Sequence, residues 1–164
     1  MNFDELKALF DEFVLGDFLP EVDTVLGWVE TLLRFAVMAG PIVLLGFGLM
    51  YLFAPPKEAN HSLGYRFWWG MASLDAWTFT QRIAGIGWSV LGLVLTVVMA
   101  VICNGFRRVE AMEMTLLAGK CLLWELGLIT GVCLTIDALV VAAFDRRGFR
   151  RLWFENLTMK KDRP

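Results

Sequence analysis

The chain has 164 residues, 57% of them hydrophobic, with a formal charge of −2 and a mean hydropathy of +0.59. That leaves too little polar surface for a water-soluble domain, and the short basic patch on an acidic chain argues against nucleic-acid binding. The expected class is all-α: an integral membrane protein with three transmembrane helices, working without catalysis.

Residues 1–27 read as an acidic, amphipathic N-terminal extension. Phe3, Leu6, Leu9, Phe10, Phe13 and Val14 recur at three- and four-residue steps, with Asp4, Glu5, Asp11 and Glu12 between them. Such a helix lies on the outer membrane surface, either as an interfacial packing element or as an acidic docking helix for a partner. No basic stretch followed by a short apolar run stands at the start, so no cleaved signal peptide is expected and the first span doubles as the insertion signal. Glu30 and Arg34 are spaced to pair as the chain enters the membrane.

The membrane domain is expected over residues 28–144, with spans at about 30–54, 83–106 and 120–144. Residues 35–54, FAVMAGPIVLLGFGLMYLFA, carry no charge and match a hydrocarbon core of about 30 Å. Gly40-Pro41 predicts a kink without a gating role.

Between the first two spans, residues 55–82 read as a short folded cap. Pro55-Pro56 ends the first helix, Asn60, His61 and Ser62 supply turn chemistry, and Gly64 frees the backbone. Tyr65, Phe67, Trp68 and Trp69 form an aromatic cluster suited to headgroups, with Arg66 among them ready to fork onto a carboxylate, a lipid phosphate or helix-end carbonyls. Ser73 followed by Asp75 predicts a helix N-cap, so the second helix begins at residue 74, ahead of its membrane portion.

Small residues at Gly85, Ser89, Gly92, Thr96, Ala100 and Cys103 line one face of the second span. Gly127, Gly131, Thr135, Ala138 and Ala142 do the same on the third. Such stripes let membrane helices approach closely. The two are expected to face each other or a second copy of the chain, with homo-oligomerisation as a possibility.

The third span also carries Glu125 and Asp137, which membrane depth makes costly and therefore partnered or functional. Glu125, five residues past Lys120, is placed at the membrane edge; Asp137 is placed deeper, with Arg34, Arg82 or Trp88 as neighbours. The lone histidine, His61, and the unpaired spacing of Cys103, Cys121 and Cys133 give no metal site, no cofactor site and no nucleophile, so the thiols read as small apolar residues. The tail, 145–164, carries Arg146, Arg147, Arg150 and Arg151 beside the membrane, where they anchor it inside and meet anionic lipid. The expected topology has the N-terminus outside and the C-terminus in the cytoplasm.

Pro55, Pro56, Asn60, Gly64, Tyr65, Arg66, Ser73, Trp77, Thr80, Gln81, Arg82 and Gly85 together resemble, in order and spacing, the hallmark of the SdpI family of bacterial membrane proteins. Phe67 stands where a Thr is usual, and Gln81 where Asn is commonest. The resemblance covers roughly residues 40–106. It implies a multi-pass protein of the bacterial plasma membrane that gives immunity by binding a membrane-active peptide toxin or a protein partner. The alternatives are an accessory subunit of a membrane transporter or enzyme complex, and a small oligomeric transporter or channel using Asp137.

Overall fold

A computed structural model describes residues 3–57 and 63–151, with side chains from residue 24 onward. The described chain forms three long helices: α1 over Phe3–Phe53, α2 over Leu74–Asn104 and α3 over Ala111–Ala143. Each is long and apolar enough to cross a membrane, over Thr24–Phe53, Leu74–Arg108 and Ala111–Ala143. Three span-like helices among the described residues make this a membrane protein. Among the described residues the only β pairing is an isolated bridge between Phe144 and Arg150.

The helices are longer than the charge-free runs, for local reasons. Ser73 sits in extended geometry and accepts the Ala76 amide at 3.1 Å, and Asp75 occupies the first turn, so α2 starts at residue 74. At the other end of α2, Gly105 and a 3-10 turn over Phe106–Arg108 make a tight reversal. α3 then starts at Ala111 rather than near 120, because Lys120 does not end the helix: it is exposed, and its long stem can carry the ammonium away from the apolar layer. α1 is one continuous helix from Phe3 through Gly40-Pro41. The amphipathic face expected in residues 1–27 falls almost wholly on side chains outside the described ones.

Packing departs from the expected pairing of stripes. α1 and α2 share the most extensive interface, and the small face of α2 lies against α1 rather than α3. A Cβ on Gly92 would stand 2.5 Å from the Leu45 nitrogen, and one on Gly85 3.0 Å from the Leu52 side chain. Gly48 returns the contact from α1, with Ser89 directly over it. The stripe on α3 points outward: Gly127 and Gly131 have nothing within 4 Å, and Thr135, Ala138 and Ala142 are exposed. What α3 turns inward is Met114, Ala118, Cys121, Glu125, Ile136, Val140 and Ala143.

The core divides along the helix axes. At the end away from the 55–82 loop, Val37, Leu95, Met99, Cys103, Phe106, Met114, Ala118 and Cys121 pack together. There Arg34 and Glu30 form the expected pair at 2.6 Å, and Arg107 approaches the same carboxylate at 3.5 Å. At the loop end, Tyr51, Ala84 and Ile136 form a second cluster with Tyr65 and Trp88 around it, and Ala76, Val140, Ala143 and Phe144 a third.

Candidate functional site: a loop that clasps three helix ends

Proline ends α1 after Phe53, and the chain must then return across the bundle to reach Ser73. Gly64 makes the turn, with φ +115°. Its backbone runs so close to the buried Trp77 that a Cβ there would stand 2.6 Å from the indole. The Trp77 ring nitrogen in turn donates to the Pro56 carbonyl at 2.8 Å, tying α2 to the end of α1.

Gln81, fully buried, reads the next residue as a strand would. Its Oε1 accepts the Tyr65 amide at 2.8 Å, and its Nε2 donates to the Tyr65 carbonyl at 2.9 Å. A side-chain amide is required for this, since it alone presents a donor and an acceptor side by side. The Asn-to-Gln departure from the family pattern keeps that chemistry.

With its backbone held by α2, Tyr65 reaches α3. The phenol donates to Asp137 Oδ1 at 2.8 Å and lies 3.2 Å from the Cys133 carbonyl. Its ring stands edge-on to Trp88, at 5.6 Å between centroids, and Trp88 contacts Tyr51 of α1 at 5.5 Å. One residue in the loop is thereby joined to all three helices. Burial first, and then the Asp137 bond, push the Tyr65 phenol above its ordinary value near 10.

A second knot lies beside the first. Ser73, while capping α2, donates to the Gly148 carbonyl at 2.7 Å. Gly148 has φ +79° and a Cβ there would stand 2.6 Å from that of Ser73. The turn that carries Gly148 is organised by Asp145, whose carboxylate accepts the amides of Arg147 and Phe149, both at 2.9 Å. The start of the basic tail thus folds back on the cap. Arg146 lies over the Trp69 ring at 5.7 Å, Arg150 is 3.6 Å from Asp75, and Arg151 donates to the Phe144 carbonyl at 3.2 Å.

Of the residues singled out in the sequence, Gly64, Tyr65, Ser73, Trp77 and Gln81 converge in the clasp, with Gly85 just below it against α1. Arg66 and Arg82 keep exposed side chains at this end, and the Arg66 charge acts on Tyr51. Asn60 and His61 lie outside the described residues. The partner of Asp137 is Tyr65, and none of Arg34, Arg82 and Trp88. Nothing in the sequence signals that pair: the two residues stand 72 apart in the chain, and only the placement of α3 against the loop brings them together.

Along α3 the two acidic residues stand differently from what their spacing to Lys120 and Asp145 suggests. Asp137 stands six residues before the helix end, under the clasp, whereas Glu125 lies mid-helix with α1 at its side. It is 4% exposed, and a Cβ on Gly40 would meet its Oε2 at 3.0 Å. The reason is the extra length of α3 before Lys120, which puts Glu125 near the middle of the helix while Asp137 stays near its end.

The clasp predicts an alkaline signature. Tyr65→Phe removes the bond to Asp137 and leaves that acceptor without its donor, which is expected to cost about 1 to 3 kcal/mol, read by thermal unfolding in detergent. A phenol that holds its proton more tightly when folded contributes stability that is complete below the unfolded value of about 10 and is lost as pH rises above it. The gap between wild type and Tyr65→Phe is therefore expected to be constant to about pH 10 and to narrow beyond it. A gap independent of pH throughout would remove Tyr65 from the clasp's energetics.

The SdpI/YfhL protein family matches residues 57–144, from the cap through the whole of α3. The match reaches further along the chain than the 40–106 resemblance and begins later. No curated protein and no solved structure matches.

Proposed function

The chain belongs to the SdpI/YfhL protein family, and on that premise we propose that it is an immunity protein of the bacterial plasma membrane, protecting its cell by binding a membrane-active peptide toxin or a protein partner. The observation that carries this reading is the use made of the family's motif. Gly64, Tyr65, Ser73, Trp77 and Gln81 are spent on joining helix ends, as befits a scaffold that holds helix faces in a set arrangement for binding. Arg66 and Arg82 remain exposed on the same end, which on the basic-tail argument is the cytoplasmic one, with the N-terminus outside.

Expression in a host sensitive to a peptide encoded near this gene tests it. Wild type is expected to raise survival at least several-fold, and Arg66→Ala and Gln81→Leu to reduce that protection at equal protein levels. Equal sensitivity of all strains to every such peptide sinks immunity.

The outward stripe of α3 favours a second reading. Gly127, Gly131, Thr135, Ala138 and Ala142 form an exposed face of the kind that membrane helices pack against. An accessory subunit docked there on a transporter or enzyme complex would co-purify with it in mild detergent, and Gly131→Leu would release it.

A further inference from the structure

Glu125 is used by neither the clasp nor the proposed binding reading. Its side chain is over nine-tenths buried, halfway along α3, and its Oε1 has no hydrogen-bond partner among the described residues. The groups facing it offer no countercharge. From α1 comes Gly40; from α2, the thiol of Cys103; from α3 itself, Cys121 one turn away. The one cation of α1 among the residues with described side chains, Arg34, is bound to Glu30, although its charge also reaches Cys103. Lys120 is exposed on the outer surface of α3.

An ionised carboxylate in that setting would be unpaired in the apolar layer, the costliest state a glutamate can occupy. A neutral acid removes the charge and gains an O–H donor. The stretch of α1 that meets Glu125 at Gly40 also carries a spare acceptor: Pro41 has no amide hydrogen, so the Val37 carbonyl, four residues earlier, lacks its helical donor. Val37 is fully buried in the same cluster as Cys121.

We propose that Glu125 is an intramembrane proton-binding site, holding its proton beside the turn of α1 in which Pro41 leaves a carbonyl without its helical donor, and releasing it only when the α1–α3 contact admits water. The ligand is a proton, bound and released without any other bond changing. Ionisation and helix separation are coupled, so each favours the other.

Infrared spectroscopy of the full chain in lipid vesicles at neutral pH tests this directly. A carbonyl stretch of a protonated acid is expected in wild type, retained in Asp137→Asn and lost completely in Glu125→Gln. Dicyclohexylcarbodiimide, which reacts with protonated acids from the apolar phase, is expected to leave an adduct on Glu125 itself, while a water-soluble carbodiimide leaves Glu125 unmodified even where it labels the exposed Glu113. Glu125→Gln is also expected to keep its melting temperature at alkaline pH where wild type loses several degrees. Should Glu125→Gln not fold, the wild-type band and its survival in Asp137→Asn still decide the matter. A spectrum with no protonated-acid band at neutral pH overturns the proposal, as does an adduct on Glu125 formed equally by the water-soluble reagent.

Discussion

Gly92→Val is expected to force α1 from α2, while Gly127→Val and Gly131→Val leave the folded chain essentially unchanged. All three lie on small-residue stripes that look alike in sequence. At Gly92 the new Cβ would meet the Leu45 backbone at 2.5 Å, and backbone inside a long helix cannot yield as the tip of a side chain can. Overpacking commonly costs about 1 to 3 kcal/mol when neighbours can shift. Here whole helices must move, so a loss of about 3 kcal/mol or more is expected. It would appear as a lower melting temperature in detergent and as protease sensitivity along α2. On α3, nothing stands within 4 Å of either glycine, so only the slight helix preference of valine over glycine remains, a few tenths of a kcal/mol in stability. If Gly131→Val destabilised the isolated chain as much as Gly92→Val, the assignment of the α2 stripe to α1 would be wrong.

Gly64→Ala is the second large effect. The position combines φ +115°, which L-residues rarely adopt, with a Cβ site 2.6 Å from Trp77 and 3.2 Å from Gln81 Oε1. Backbone strain of about 1 to 3 kcal/mol and a clash of about 1 to 3 kcal/mol act at one residue. Both fall on the residue before Tyr65, so relief by moving the loop would draw Tyr65 from Gln81 and Asp137. Near-ultraviolet circular dichroism, sensitive to Trp77, Trp88 and Tyr65, is expected to weaken together with stability. Gly46→Ala is the control: it lies within α1 with nothing within 4 Å, and should be neutral or mildly stabilising. Matching behaviour of the two variants would mean that the loop tolerates a side chain at Gly64.

These contrasts bear on what can be read from one sequence. The three spans, the Pro55-Pro56 stop and the Ser73 cap were legible because each depends on local chemistry: apolar length against bilayer thickness, a missing amide, a hydroxyl before orphan amides. The Glu30–Arg34 pair belongs with them, since four residues along one helix leave little choice of geometry. The start of α3 is not legible in the same way, because a long side chain such as that of Lys120, on an exposed face, need not end a helix.

By itself, then, the sequence determined that this chain is three membrane-crossing helices joined by a motif-bearing loop, because hydrophobic length and turn chemistry act on neighbours along the chain. Only the tertiary structure decided that Tyr65 bonds Asp137 and that the α2 glycines meet α1. It likewise put Glu125, and not Asp137, at mid-helix between α1 and α3. Those outcomes depend on how each helix is rotated and shifted against the others, and many rotations bury similar apolar area between helices whose whole surface is greasy. Close approach at Gly48 and Gly92, and one phenol's reach across the bundle, select among them.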